Sequence, residues 1–112
     1  MDCIFCKIAA GIIPSNKVYE DENVLAFYDL DPQAPVHVLI IPKMHITSAA
    51  EITSENSVVV ARIFEAAAII AEKLELKEGF RIVSNCGVNG CQSVGHLHIH
   101  LLGGEKLTEK MA

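Results

Sequence analysis

Two hydrophobic periods run along this chain, and together they predict several short strands and one long helix. Four runs of alternating or continuous apolar residues have strand character: Lys17–Glu20, Val24–Asp29, Val36–Pro42 and Phe80–Asn85. The polar residues 21–23 between the first two runs predict an antiparallel hairpin. A fifth strand is predicted at 96–102, where apolar residues alternate with histidine. At the front, residues 2–10 predict a short helical turn that Gly11 closes.

The long helix is predicted between the third and fourth strands. Thr53 and Ser54 are suitable N-caps, the pattern continues to about Leu76, and Gly79 ends it. Its middle, Val58–Ala71, is apolar on more than one side, whereas a helix packed on one sheet shows a single apolar stripe. We therefore infer a second apolar contact, most simply a two-fold homodimer interface built partly on this helix. Burial by the chain's own loops is the alternative, which the short chain makes weaker.

The histidine run places three imidazoles on one side of the fifth strand. Because successive side chains of a strand point to opposite faces, His96, His98 and His100 share one face. The other face carries the aliphatic residues Leu97, Ile99 and Leu101. Neutral imidazole can act as a nucleophile, proton carrier or metal ligand near neutral pH. A purely structural role is the alternative, but nothing in strand packing requires three histidines in register.

Length and composition restrict the function classes. The 112 residues suffice for one domain, 1–112, with a single core, and 51% hydrophobic against 21% charged residues is typical of globular proteins. A formal net charge of -5 disfavours DNA or RNA as the main partner but leaves room for a small anion. No leader pattern or bilayer-length apolar stretch is present, so we expect a cytoplasmic protein without a membrane partner. Four cysteines in that compartment indicate metal ligands or thiols rather than disulfides.

A polar loop precedes the histidine run. Asn85, Gln92 and Ser93 would supply hydrogen-bond donors where a phosphate needs them, and the loop glycines let the backbone approach closely. Histidine chemistry at phosphorus would proceed by attack of an unprotonated ring nitrogen, giving a covalent intermediate that water opens.

Several separated segments form one ordered set of motifs. They are Asp2–Ile8, Leu25–Asp29, Pro32–His37, Ile41–Lys43 with His45, the run His96-x-His98-x-His100-x-x, and Gly103-Gly104. Over nearly the whole chain this set resembles the histidine triad (HIT) family, in particular its Hint branch of nucleotide-binding proteins. The resemblance implies a HIT-like α+β fold: a five-stranded antiparallel sheet with one long helix and a short N-terminal helix, the sheet continuing across a homodimer.

The family also implies an activity. It would bind a purine nucleotide, such as AMP, GMP or an adenosine-like ligand, and hydrolyse nucleoside phosphoramidates to the nucleoside monophosphate and an amine, with no cofactor required for catalysis. A Fhit-like dinucleoside polyphosphate hydrolase is one alternative. The Hint-like N-terminal segment and the Gly103-Gly104 pair argue against it. A non-catalytic nucleotide-binding or scaffold protein is another. The complete set of His37, Ser93, His98 and His100 argues against it.

The resemblance assigns roles to these residues. His98 would be the nucleophile at the α-phosphorus, forming a nucleotidyl-histidine. His100 would contact the phosphate and help the leaving group depart, and His37 would polarise His98 through the hydrogen-bond network. Ser93 and Asn85 would bind phosphate or leaving-group atoms.

The nucleoside part has its own set of residues. Asp29 would accept both ribose hydroxyls, which the two oxygens of a carboxylate can do as a pair; a turn-capping role is the alternative. An apolar slot for the base would be formed by Phe5, Ile8, Ile13, Phe27 and Leu30. Each of these apolar residues has core packing as its alternative.

The pair Cys3-x-x-Cys6 is a separate metal signal. Two cysteines alone are weak evidence, but a tetrahedral zinc site needs four ligands, and His45 with one triad histidine completes a Cys₂His₂ set. The resemblance to bacterial-type members implies that the fourth ligand is His96. Such a zinc would be structural, because four protein ligands leave no open position.

Overall fold

The sheet of this computed structural model, which describes residues 3–111, has five antiparallel strands in the order β1-β2-β3-β5-β4. In chain order the elements are α1 Ile4–Ala9, β1 Lys17–Glu20, β2 Val24–Tyr28, β3 Val36–Pro42, a 3₁₀ turn Ala49–Glu51, α2 Val58–Lys73, β4 Phe80–Ser84 and β5 Ile99–Gly103. The predicted α+β class, strand number and β1–β2 hairpin are confirmed. Asp2, the first residue of the front motif, and the two ends of the range 1–112 lie outside the described residues.

The sheet separates two apolar layers, which explains why β2 and β3 are apolar at consecutive positions. Alternate strand residues point to opposite faces. On one face, Val24, Ala26, Val38, Ile40 and Leu101 pack with the buried residues of α2. On the other face, Leu25, Phe27, Leu39 and Ile41 pack with Phe5 and Ile8 of α1. The short N-terminal helix, which Gly11 closes with a φ of 79°, therefore covers the second face of the sheet.

The fifth strand starts later than the histidine pattern predicts. Regular pairing with β3 and β4 begins at Ile99, so His96, Leu97 and His98 precede the strand. The reason is that the Leu97 N–H donates to the carbonyl of Ile46, at 2.6 Å, outside the sheet. The alternation of faces nevertheless holds, because the aliphatic residues of the run all join the layer on the α2 side: Leu97, Ile99 and Leu101.

Both ends of the predicted long helix are wrong. The helix begins at Val58, because residues 53–57 form a separate turn in which the Thr53 N–H donates to Asn56 Oδ1 at 2.7 Å. It ends at Lys73 rather than Leu76. Glu75 adopts a left-handed φ of 58°, which a continuing right-handed helix does not allow.

Helix α2 is apolar on two sides. Its sheet-facing stripe is buried: Ile63, Ala66, Ala67, Ile70 and Ala71. Phe64 and Ile69, on the remaining surface, are 50% and 48% exposed. The chain's own loops leave these side chains uncovered, contrary to the alternative of burial by loops. Among the described residues, no helix is both long and apolar enough to cross a membrane.

Candidate active site and metal cluster

The histidine side of the sheet and helix α1 enclose a cluster of aromatic rings. His98 lies at its centre and is 3% exposed. Its ring meets the Phe5 ring of α1 nearly at a right angle, with centroids 5.1 Å apart. The His100 ring of β5 is 5.3 Å from the His98 ring, and the His37 ring of β3 is 5.1 Å from that of His100. The structure therefore brings three of the predicted catalytic residues together.

A backbone carbonyl determines which nitrogen of His98 can react. Its Nδ1 lies 2.7 Å from the carbonyl oxygen of His96. A carbonyl oxygen only accepts hydrogen bonds, so Nδ1 must carry the hydrogen. In the neutral ring Nε2 then holds an unshared electron pair. That is the state that nucleophilic attack requires.

A second chain of hydrogen bonds assigns the opposite state to His100. The backbone N–H of Gln33 donates to His37 Nδ1 at 2.9 Å, so the hydrogen of His37 is on Nε2. His37 Nε2 lies 2.8 Å from His100 Nδ1, and its N–H donates to that nitrogen. The hydrogen of His100 is consequently on Nε2, where it can be donated to another group.

The two neighbouring imidazoles thus have complementary roles available. His98 offers an electron pair and His100 offers an N–H. Burial lowers the pKa of His100, and the nearby His98 and His37 lower it further, whereas Asp29 acts in the opposite direction. The neutral form of His100, which the hydrogen-bond chain requires, is therefore favoured.

Asp29 follows β2 at the edge of this site. Its Oδ1 accepts the Asp31 N–H at 2.8 Å, the turn-capping contact that was the alternative to a ligand role. Its Oδ2 lies 3.6 Å from His37 Nε2. Asp29, His37 and His100 could be taken for metal ligands. The hydrogen that Gln33 forces onto His37 Nε2 argues against this, since a metal needs an unprotonated nitrogen.

Gln92 holds the preceding loop in place. Its side-chain N–H groups donate to the carbonyls of Thr47 and Val94, at 2.7 and 2.8 Å, and its Oε1 accepts the Gly87 N–H at 3.0 Å. Both donors of the amide are thus engaged. The prediction that Gln92 supplies donors for a phosphate is wrong.

The other polar residues of the loop are placed differently. Asn85 directly follows β4, and its Nδ2 donates to the Gly90 carbonyl at 2.7 Å. A side chain at Gly90 would collide with the backbone of Cys86, so only glycine allows this tight loop. Ser93 is exposed at the end of the loop. The phosphate-binding roles of Asn85 and Ser93 stay predictions.

The residues predicted to bind the base are only partly assembled. Phe5, Ile8 and Phe27 are buried in one apolar cluster, against which Ile13 packs. Leu30 is 99% exposed and stands apart from that cluster.

The predicted metal ligands converge beside the aromatic cluster. Cys3 caps α1, and its Sγ accepts the Cys6 N–H at 3.3 Å. Cys3 Sγ is 3.3 Å and Cys6 Sγ 3.5 Å from His96 Nδ1. His45 Nδ1 lies 3.2 Å from both Cys6 Sγ and His96 Nδ1. All four donor atoms are within 4.8 Å of one another.

These distances fit a tetrahedral ion. With zinc–sulfur bonds of about 2.3 Å and zinc–nitrogen bonds of about 2.0 Å, adjacent ligand atoms lie roughly 3.3–3.8 Å apart. His96 Nε2 is 2.8 Å from the carbonyl oxygen of Pro42 and must donate to it. Nδ1 therefore presents its electron pair to the cluster, as a ligand must. Burial lowers the pKa of His96, which favours this neutral form, and raises the pKa of Cys6, whose thiol a metal would deprotonate.

A comparison with protein families decides the classification. Residues 10–107 match the family model described as the HIT domain. The chain belongs to the HIT domain family. This HIT protein is 46% identical to a "14 kDa zinc-binding protein" of Brassica juncea over 95% of its own length and 96% of the relative. It is 45% identical to "Adenylylsulfatase HINT1" of Arabidopsis thaliana, over 93% of this chain and 72% of that one.

A solved structure agrees with the fold. The "HIT family hydrolase from Clostridium thermocellum" superposes on this HIT protein with a TM-score of 0.96 and 47% identity, covering 99% of this chain and 97% of the other. The predicted family and HIT-like fold are confirmed.

Sequence reasoning about this HIT protein missed the groups that fix the imidazoles. They are backbone atoms: the Gln33 N–H and the carbonyls of Pro42 and His96. Nearly every residue has such atoms, so the sequence does not indicate which of them orient the imidazoles. Phe5 was predicted only as a base contact, and its perpendicular packing on His98 was also missed.

Proposed function

We propose that this HIT protein is a purine nucleotide-binding hydrolase that cleaves nucleoside phosphoramidates to the nucleoside monophosphate and an amine. The observation that carries the proposal is the pair of complementary imidazoles, His98 with an unprotonated Nε2 and His100 with an Nε2–H. Relatives named as a HIT family hydrolase and an adenylylsulfatase support hydrolysis of a group attached to a nucleotide.

The reaction would proceed in two displacements. His98 Nε2 attacks the α-phosphorus, a P–N(His98) bond forms, and the bond from phosphorus to the leaving amine breaks. The amine leaves with the bonding electron pair and takes a proton from solvent, while the Nε2–H of neutral His100 donates a hydrogen bond to the leaving nitrogen. Water then attacks phosphorus, the P–N(His98) bond breaks with its electron pair returning to His98 Nε2, and the proton of the water is released to solvent. Both rings end in their starting tautomers.

The remaining predicted contacts would position the nucleotide. Asp29 would accept the ribose hydroxyls through its two oxygens, of which Oδ1 also caps its turn. Asn85 and Ser93 would reach phosphate oxygens from the loop. Ile8 and Phe27, on the same side of the sheet, would contact the base. AMP, GMP and an adenosine-like ligand are suitable ligands for this site.

A rapid-quench experiment tests the proposal. The protein is mixed with an adenosine phosphoramidate, quenched under conditions that preserve phosphohistidine, and examined by mass spectrometry. We expect an adenylyl group on His98 and release of AMP. Adenosine phosphosulfate and a dinucleoside polyphosphate, tested in parallel, identify the preferred leaving group. Absence of turnover on all three substrates would support the alternative of a non-catalytic nucleotide-binding protein.

We also propose a structural zinc ion at Cys3, Cys6, His45 and His96. The converging donor atoms support it, and a relative carries the name zinc-binding protein. The ion would tie α1 to the segments that precede α2 and β5, and catalysis would need no further cofactor. Elemental analysis of protein purified without chelators should find one zinc per chain.

We further propose that residues 1–112 form one HIT domain, and that two copies pair in the cytoplasm. The half-exposed Phe64 and Ile69 of α2 support pairing. So does β4, an edge strand that begins with the 42% exposed Phe80. Sedimentation at micromolar concentration should find a dimer, and Phe64→Asp should shift it to monomer because a charge would be buried at the interface.

A further inference from the structure

Helix α1 carries the two cysteines of the metal cluster on either side of an aromatic residue. Cys3 and Cys6 face the cluster, while the Phe5 ring packs on His98 at 5.1 Å and 86°. The same ring lies 6.0 Å from His96 and 5.7 Å from Phe27. Phe5 is 6% exposed. Its position is thus fixed by a helix whose two cysteines belong to the metal cluster.

His96 provides a second link between the same two sites. Its side chain contributes Nδ1 to the cluster, and its backbone carbonyl accepts the Nδ1–H of His98 at 2.7 Å. A movement of His96 out of the cluster would therefore move the atom that sets the tautomer of His98. The metal cluster and His98 are therefore connected twice, through His96 and through the Phe5 ring that packs on both histidines.

We propose that Phe5 is a positioning residue for His98, and that the Cys/His cluster holds Phe5 and His96 where they select the His98 tautomer with hydrogen on Nδ1 and keep Nε2 directed at the substrate. The inference rests on the proposed role of His98 as nucleophile. It differs from the predicted role of Phe5 as part of the base slot. The metal site would then act on the reaction as well as on stability.

The physical reason lies in the freedom of an imidazole. A neutral histidine ring can rotate about its Cβ–Cγ bond and can move its hydrogen between its two nitrogens. The His96 carbonyl selects one tautomer, and the Phe5 ring occupies the space that a rotated His98 ring would need. Displacement of reacting atoms by about 1 Å can cost a hundredfold in rate. Substrate contacts made elsewhere would be unaffected.

The variant Phe5→Leu separates the two roles. If Phe5 positions His98, we expect kcat to fall about tenfold to a hundredfold while KM changes less than about threefold. If Phe5 binds the base, KM rises and kcat is retained, which would overturn the proposal. Leu25→Ala is the matched control, since Leu25 is buried in the same apolar cluster without an assigned role. It should lower the melting temperature and keep kcat.

A spectroscopic measurement tests the proposal without substrate. Nitrogen-15 NMR of the imidazoles at fixed neutral pH should show His98 as a single tautomer with hydrogen on Nδ1 in the wild type. In Phe5→Leu, with its metal content verified, we expect a mixture of tautomers. A spectrum unchanged from the wild type would overturn the proposal even if the protein hydrolyses no phosphoramidate. Failure of the proposed function would appear instead as a wild type without turnover and with the expected spectrum.

Removal of the cluster should give the same signature. Cys6→Ser and His45→Asn each remove one ligand. Two variants are used because one of them can still be measured if the other does not fold. Both should lose metal by elemental analysis and show the His98 mixture. Cys91→Ser, at an exposed cysteine of the loop, is the control and should keep both metal and tautomer. Metal-free protein with a single His98 tautomer would contradict the link.

Discussion

His96 and His98 are two positions apart, both are almost fully buried, and each donates to a backbone carbonyl, but they do so through opposite nitrogens. His96 uses Nε2 towards Pro42, whereas His98 uses Nδ1 towards His96. His96 is left with an electron pair on Nδ1, which faces two thiols and a second imidazole. His98 is left with one on Nε2, at the end of the ring.

The difference shows that neighbouring histidines acquire separate functions from their backbone partners. An electron pair on Nδ1 lies close to the main chain and suits a metal enclosed by protein ligands. An electron pair on Nε2 projects furthest from the main chain and suits attack on a bound molecule. Substitutions at the two positions should therefore have different consequences.

The largest expected effect is at His98. We expect His98→Asn to reduce phosphoramidate turnover about 10⁴-fold or more, because the nucleophile is removed. AMP binding should stay within about tenfold and zinc content should be unchanged. Steady-state kinetics, calorimetric titration with AMP and elemental analysis measure the three quantities. Loss of AMP binding with turnover preserved would contradict the assigned role.

At His96 the expected loss is of metal and stability. We expect His96→Ala to lose zinc and to lower the melting temperature by about 10–20 °C, since a structural metal contributes several kcal/mol to folding. His96→Cys restores a ligand atom and should recover zinc. Retention of zinc by His96→Ala would remove His96 from the ligand set.

The comparison also explains how much the sequence could predict. The alternation from His96 to Leu101 predicted the faces of these side chains correctly, because side-chain direction along an extended segment is a local property. The tautomers could not be predicted, since they depend on carbonyls that long-range packing brings into place, such as that of Pro42. The start of α2 was missed for a similar reason, because Asn56 closes a turn on Thr53 that competes with the cap.

The predicted site was limited in the same way. The spacing Cys3-x-x-Cys6 with His45 and a triad histidine indicated a four-ligand site, since a metal site requires particular residue types. The resemblance implied His96 as the fourth ligand, and the fold brings these four residues together. Gln92 was chosen for its chemical type, whereas Leu30 was implied by the resemblance to the family. The structure engages both donors of Gln92 with backbone carbonyls and leaves Leu30 exposed.

Substitutions of Asp29 should have a smaller effect, and they separate its predicted role in ribose binding from its role as a turn cap. Asp29→Asn keeps an oxygen that can accept the Asp31 N–H, so the melting temperature should change little. It loses one of the two oxygens predicted for the ribose, so KM for an adenosine phosphoramidate should rise about tenfold with kcat nearly unchanged. Asp29→Ala should raise KM similarly and also lower the melting temperature. An unchanged KM in both variants would leave Asp29 as a turn cap only.

The smallest expected effect is the pH dependence that His100 contributes to stability. Burial holds the pKa of His100 below its ordinary value, so the unfolded chain takes up a proton at higher pH than the folded one. The stabilising contribution is therefore fully present above the unfolded pKa of about 6.5 and is lost as pH falls through the folded pKa. Urea unfolding should show a smaller loss of stability between neutral and mildly acidic pH for His100→Gln than for the wild type. Equal losses would mean that other groups, rather than His100, produce the dependence.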